Sequence, residues 1–248
     1  MNYDLIVIGS GPGGYVAAIR GAQLGMNVAV IEKAEIGGIC LNWGCIPTKS
    51  LLKSAQVLDY ARHAEDYGVK IENTQPDFGA IIARSRGVAE KMSKGIQYLF
   101  KKNNITVIEG QGKLTADKKV EVTANDGAKQ IYEAKHIILA TGARSRQLPA
   151  IPQDGKRIIG YRQALTLDHL PASMLVVGSG AIGSELAWFY NAMGTNVPSI
   201  TFNAASVHPD NVSCYVDNYN KLINTKSMVG IYVEGEILST KVSPFIGL

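Results

Sequence analysis

Along the first 32 positions, apolar residues fall in an order that predicts a strand, a helix and a second strand. Asp4-Leu5-Ile6-Val7-Ile8 is an almost unbroken apolar run with the length of a strand buried on both faces. Glycines follow it, and Tyr15-Val16-Ala17-Ala18-Ile19-Arg20 then reads as a helix reaching Gly25. Asn27-Val28-Ala29-Val30-Ile31-Glu32 returns to β-branched residues and closes on an acid. Apolar positions at helical spacing, such as Leu51, Leu52, Ala55 and Leu58, predict helices over 45–68 and 78–102, with Gly68 as a stop. Residues 105–109, 119–123 and 130–133 are strand-like, the last two joined by the hairpin signal Asn125-Asp126-Gly127, so a small antiparallel insert is expected. Residues 136–140 read as a separate buried strand. Pro149, Pro152 and Pro171 punctuate a linker before Met174-Leu175-Val176-Val177, where strand and glycine recur.

The glycines between the first strand and helix are spaced G-x-G-x-x-G at Gly9, Gly11 and Gly14. Gly9 permits the tight turn, Gly11 lets the backbone approach a pyrophosphate, and Gly14 lets the helix pack against the strand. Amides at the helix start then face the phosphates. Glu32, eighteen positions after Gly14, is placed to accept hydrogen bonds from a ribose hydroxyl. The same spacing recurs at Gly178, Gly180 and Gly183, opening a helix through Leu186-Ala187-Trp188-Phe189-Tyr190. The expected class is therefore α/β: a Rossmann-like dinucleotide-binding domain with an antiparallel insert, then the start of a second such domain. The glycines alone leave FAD and NAD open for either loop.

Glycine makes up 26 of the 248 residues, well above its usual share, and nine of the 26 lie in the first fifty positions. The balance of 46% hydrophobic and 19% charged residues predicts a packed globular chain. A net charge of +4 with scattered basic residues speaks against nucleic acid. No apolar stretch has the length of a membrane span, and no basic segment precedes the first apolar run, so a cytoplasmic chain without a signal peptide is expected.

Three cysteines are too few for a disulfide scaffold, which makes the close pair Cys40 and Cys45 chemically suggestive and leaves Cys214 apart. Two thiols with four residues between them can close a small ring if the first sits on a loop and the second at the start of a helix. Pro47 marks such a start, since proline is tolerated in a first helical turn. Cys45 would then lie at the positive end of a helix dipole, which stabilises thiolate. Buried structural cysteines or half of a metal site are the alternatives; no C-x-x-C or His cluster supplies further ligands, so no metal is expected.

The run Gly37-Gly38-Ile39-Cys40-Leu41-Asn42-Trp43-Gly44-Cys45-Ile46-Pro47-Thr48-Lys49 resembles the redox segment of the flavin-dependent pyridine nucleotide disulfide oxidoreductases. Leu41-Asn42 is most similar to the branch that oxidises dihydrolipoamide, and the resemblance spans about residues 3 to 197. It implies FAD along the first loop, Cys45 as the flavin-side thiol, Cys40 as the thiol that meets the substrate disulfide, and Lys49 near the flavin's reactive nitrogen. It implies that Gly112 approaches the adenine end, that Thr141-Gly142 closes the FAD site, and that the second loop holds NAD. Glu185 resembles the family carboxylate that reaches toward the nicotinamide and pairs with Lys49. Dihydrolipoamide, free or on the lipoyl domain of a 2-oxoacid dehydrogenase complex, is the implied partner, in a family that is homodimeric.

The domains expected on this basis are 1–148 for FAD and the cysteine pair, a linker at 149–171, a partial NAD-binding domain at 172–197, and a tail at 198–248 without the resemblance. Position 201, where the second loop calls for an acid, is Thr201, and Pro198 removes a donor from the strand expected there. The family chain continues for about as long again, with an interface domain that supplies a His followed five residues later by Glu. None of His63, His136, His169 and His208 has a Glu at that offset. The resemblance thus implies FAD binding, weak NAD binding and low turnover. A catalytically silent FAD-binding fragment, or a related glutathione or mercuric reductase, are the other readings.

Overall fold

The computed structural model describes residues 2–145, 149, 151–178, 180–197, 199–200 and 230–232. Cys214, His208 and most of the tail at 198–248 lie outside them. The chain divides into two compact units, one of residues 1–144 with 165–169 and one of 145–164 with 170–248.

The first unit is built on β1 (Asn2–Ile8), α1 (Pro12–Gln23) and β2 (Val28–Glu32), followed by α2 (Gly38–Trp43), α3 (Cys45–Arg62), a 3-10 turn (Ala64–Tyr67) and α4 (Phe78–Lys102). Gly68 stops the third helix region in the left-handed conformation, φ 74°, which costs glycine little. Four short strands complete the unit: β3 (Thr106–Glu109), β4 (Gln111–Leu114), β5 (Val120–Thr123) and β6 (Lys129–Leu139). The sheet order is β3-β2-β1-β6-β5-β4. β1 lies parallel between β2 and β6, with Leu5 opposite Val28 and His136, and β2 lies parallel to β3. β4, β5 and the first residues of β6 are antiparallel.

Strand alternation divides the core into two layers. Leu5, Val7, Val28 and Val30 face the helices and pack with Ala18, Ile96 and Phe100. Ile6, Ile8, Ala29 and Ile31 face the antiparallel ribbon and pack with Val120, Val122 and Tyr132. β1 is therefore buried on both faces, as its sequence predicts, and the two loops at its carboxyl end rest on a rigid floor.

One expectation is corrected here. Residues 130–133 and 136–140 are not two strands: β6 runs continuously through both, antiparallel to β5 at Lys129–Tyr132 and parallel to β1 from Glu133 on. Nor is its second half buried, since Ile138 and Leu139 are 37% and 61% exposed. Among the described residues no strand lies on the outer edge of that half.

In the second unit, β7 (Ile158–Gly160), β8 (Leu175–Val177), β9 (Ser199–Ile200) and β10 (Gly230–Tyr232) form an all-parallel sheet of order β7-β10-β8-β9. The helices are α5 (Tyr161–Ala164) and α6 (Ala181–Met193). Ile159, Met174, Val176, Leu186, Phe189 and Tyr190 are among its buried side chains, and the Tyr190 hydroxyl donates to the Ala164 carbonyl. The stretch read from its prolines as a linker thus contains β7 and α5. The strand expected to fail after Val197 is present as the two-residue β9, whose Ser199 pairs with Val176; Pro198 lies outside the described residues.

Candidate functional site

The first glycine loop leaves β1 at Gly9, whose φ of 103° is open to glycine and rarely to other residues. A Cβ there would lie 2.2 Å from the Ala140 carbonyl oxygen, so the loop runs against the chain leaving β6, where Thr141 and Gly142 follow. A Cβ at Gly14 would lie 1.9 Å from the Gly9 carbonyl oxygen, the close approach expected of the third glycine. Gly11 is the N-cap of α1; no side chain caps that helix, and nothing lies within 4 Å of where Cβ atoms at Gly11 and Gly13 would be. An uncapped helix start with free space over two bare residues fits a pyrophosphate.

Glu32 closes the other side. Its Oε2 accepts from the Ser10 amide (2.9 Å) and hydroxyl (2.6 Å), and its Oε1 from the Lys33 and Ala34 amides (2.9 and 3.0 Å). The fully buried Ser10 hydroxyl in turn accepts from the Gly37 amide at 3.1 Å. The carboxylate at the end of β2 is thereby locked to the glycine loop and to the start of the cysteine segment. Ser10 is an unspecified position of the motif, and its part was not legible from spacing.

Gly37 and Gly38 have φ of 96° and 62°, and turn the chain into α2. A Cβ on Gly38 would come within 2.8 Å of Gly11 Cα, so the glycine turn and the cysteine segment touch backbone to backbone. Cys40 lies on this short helix, not on the loop that was expected. Gly44 breaks the helix with φ −139° and ψ −116°, and Cys45 is the first residue of α3, two positions ahead of Pro47. Both cysteines are free thiols, Cys45 exposed and Cys40 half-buried. The two thiols lie close enough for each to affect the other's charge. Burial first, and then the Cys45 thiol beside it, push the Cys40 thiol up to about 11; the Cys45 amide and the Lys49 ammonium act in the opposite direction. Lys49 is exposed, one helical turn beyond Cys45.

At Gly112, on β4, a Cβ would meet Ile8 and Ile31 side-chain atoms at 3.1 and 3.2 Å. Bareness at this position serves packing over the strand ends. Thr141 and Gly142 are exposed, Gly142 at φ 69°. The remaining candidates lie in the second unit. Gly178 has φ 112°, Gly180 is the uncapped N-cap of α6, and Gly183 packs against the Gly178 carbonyl, while Glu185 is half-buried on α6. Beside the cysteine segment runs a cleft of about 810 Å³ lined by Glu35, Ile36, Asn42, Arg86, Ser93 and residues further along α4. Among the described residues, no helix is long and apolar enough to cross a membrane, and no group of three His, Cys, Asp or Glu could hold a metal.

Parallel strands carrying an open glycine loop, with a pair of neighbouring thiols on the segment that packs against that loop, define a dinucleotide-dependent dithiol protein of α/β class. The family described as pyridine nucleotide-disulphide oxidoreductase matches residues 3–221, and the chain belongs to it. The match continues past position 197, so the tail is not wholly without family likeness as the residues suggested. Curated relatives named dihydrolipoyl dehydrogenase are 50% identical: over 213 residues in Rhizobium etli (79% of this chain, 44% of that protein) and over 218 in Zymomonas mobilis (87% and 47%). The crystal structure of LpdA from Mycobacterium tuberculosis is similar with a TM-score of 0.74 at 29% identity, over 91% of this chain and 51% of that one. This chain spans about half the length of the proteins it matches.

Proposed function

We propose that the chain carries the dithiol and flavin chemistry of a dihydrolipoyl dehydrogenase. On this reading residues 1–148 bind FAD, 172–197 begin an NAD-binding domain, and Cys40 and Cys45 cycle between dithiol and disulfide. The observation that carries it is the placing of Cys40 on α2 and Cys45 at the start of α3, near enough to affect one another, on a segment whose Gly38 packs against Gly11 of the glycine turn. The relatives' name points to dihydrolipoamide, free or on the lipoyl domain of a 2-oxoacid dehydrogenase complex.

In the substrate half-reaction, one thiolate of dihydrolipoamide attacks Cys40 Sγ of the Cys40–Cys45 disulfide. A substrate–Cys40 bond forms, the Cys40–Cys45 bond breaks, and Cys45 leaves with the electron pair at the positive end of α3. The second substrate thiolate then attacks its own oxidised sulfur, closing the lipoamide ring and releasing Cys40. A Cys40 thiol pushed up to about 11 takes a proton at neutral pH once it is released. Bound FAD supplies a two-electron acceptor for the dithiol, with NAD+ as hydride acceptor beyond it. Gly11 and Gly13 offer backbone to the pyrophosphate, Glu32 and Ser10 hold the turn, and Thr141-Gly142 border it. In the second unit Gly178, Gly180 and Gly183 would cradle the NAD pyrophosphate, with Glu185 toward the nicotinamide.

The test is one addition of dihydrolipoamide to the FAD-loaded 248-residue chain, followed by NAD+. One equivalent of flavin bleached by dihydrolipoamide, and not by glutathione, supports the reading. No bleaching, or bleaching equally by glutathione, overturns the assignment. Because no His in these residues is followed by Glu at the fifth position, a single reduction with little steady NADH formation is the expected kinetic pattern.

A further inference from the structure

Helix α4 grips the cysteine segment by its carbonyls. Ser93 Oγ donates to Ile36 O (2.7 Å), Arg86 Nη1 to Asn42 O (2.6 Å), Ser85 Oγ to Pro47 O (3.0 Å), and Arg84 Nη1 to Ser50 O (3.0 Å) and Ser50 Oγ (2.8 Å). Only the Arg86 bond falls between the two cysteines. The six-residue α2 ends at Trp43, so its last carbonyls have no amide one turn ahead to receive. Arg86 supplies a charged donor to one of them, at the helix end where a cation is favoured.

The same guanidinium lies 4.2 Å from the centre of the Trp43 ring, and the Trp43 indole N–H donates to Glu35 Oε1 at 3.1 Å. Glu35, Trp43 and Arg86 thus form a brace from the loop after β2 through the inter-cysteine backbone to α4. Burial lowers the Arg86 pKa and the Glu35 charge opposes that shift, a cation held between desolvation and a partner. Gly44 follows, where the chain leaves α2 and enters α3.

We infer that Arg86 is a positioning residue for the redox pair: seated on the Trp43 ring and bonded to the Asn42 carbonyl, it fixes the backbone between Cys40 and Cys45 so that their sulfurs stay within bonding reach. This rests on the dithiol–disulfide reading above. Without the brace, Asn42, Trp43 and Gly44 gain freedom that closing the ring must remove, and the dithiol form is favoured.

The experiment is equilibration of the 248-residue chain, in a Cys214→Ser background, with mixtures of reduced and oxidised dithiothreitol. Cys40 and Cys45 lose two electrons and two protons as their S–S bond forms, while the S–S bond of oxidised dithiothreitol breaks to two thiols. Trapped thiols are counted by mass after alkylation. Arg86→Ala should lower the equilibrium constant for the protein disulfide about tenfold, a potential about 30 mV less negative. Arg86→Lys, which keeps charge and one donor but not the flat fork, should recover most of it, leaving about a threefold deficit. Arg84→Ala removes comparable bonds from α4 to α3 beyond the pair and should leave the constant within twofold.

An unchanged constant in Arg86→Ala, or equal shifts in Arg86→Ala and Arg84→Ala, overturns the inference while leaving the dithiol reading intact. If Arg86→Ala does not fold, Arg86→Lys decides, and wild-type behaviour there overturns it. A wild-type chain that forms no Cys40–Cys45 disulfide under any ratio removes the dithiol reading, and the inference with it.

Discussion

The two glycine loops are nearly the same backbone object. Gly9 and Gly178 turn at φ 103° and 112°, and Gly11 and Gly180 cap their helices at φ −65° and −64°. The first helical bonds are equally alike: Tyr15 N to Gly11 O at 2.9 Å and Ser184 N to Gly180 O at 3.0 Å. Their settings differ. The first follows a seven-residue strand and is held by the Ser10, Glu32 and Gly37 hydrogen bonds, with Gly38 pressed against Gly11. The second follows a three-residue strand, and the Gly183 approach to Gly178 O is 2.9 Å where the first has 1.9 Å. A motif specifies the turn and the helix start; what makes it a reaction site is the chemistry that other segments bring to it.

Substitutions at the third glycine of each loop give the largest contrast. Gly14→Ala drives a methyl into a carbonyl at 1.9 Å and should cost about 3 kcal/mol or more, whereas Gly183→Ala, at 2.9 Å, should cost about 1 kcal/mol. Urea melts followed at Trp43 for the first unit and Trp188 for the second, in single-tryptophan backgrounds, separate the two; equal losses contradict the difference in packing. Next in size is Ser10→Ala, which deletes the hydroxyl from its bonds with Glu32 and Gly37 and should cost about 2 kcal/mol with a parallel loss of FAD affinity. An unchanged melt and unchanged flavin titration would show that the lock between loop and cysteine segment is ornamental.

The thiol pair gives the next prediction. A raised pKa favours the protonated form, so at pH 8 only about one Cys40 in a thousand is thiolate, rising about tenfold per pH unit toward 11. Alkylation of the reduced chain by iodoacetamide, mapped by peptide mass, should accordingly climb at Cys40 between pH 8 and 10. A flat profile contradicts the burial and sulfur contact described. The smallest effect belongs to the Lys135–Asp4 bridge at 2.8 Å, which holds the Asp4 carboxyl below its usual range. Its stabilising share is present above the ordinary carboxylate pKa and is lost as pH falls through the lowered value. Both groups are solvent-facing, so Lys135→Ala should move Asp4 upward in an NMR titration and barely alter melting.

Much of this was legible in the residues. The helix at 78–102 and the stop at Gly68 follow from local spacing and glycine's conformational freedom, and Gly9, Gly14 and Cys45 stand where their neighbours in sequence put them. What depended on distant segments was not. Cys40 was expected on a loop because nothing local shows that two left-handed glycines, turned against Gly11, start a short helix. What Gly112 packs against was out of reach in the same way, because Ile8 and Ile31 lie 104 and 81 positions earlier in the chain. β6 was split because Ala134-Lys135 interrupts the apolar pattern, although Lys135 is spoken for by Asp4. Arg86 offered no signal at all: an arginine on a helix acquires meaning only when that helix lies across an unfinished one.

The central claim is that the Cys40–Cys45 dithiol delivers electrons to a flavin bound on the first glycine loop. It is tested most directly by following flavin absorbance in the FAD-loaded chain on addition of dihydrolipoamide, in the wild type and in Cys40→Ser and Cys45→Ser. The account predicts two-electron bleaching in the wild type and none in either variant, with FAD still bound in all three. Bleaching that survives loss of either cysteine would contradict it.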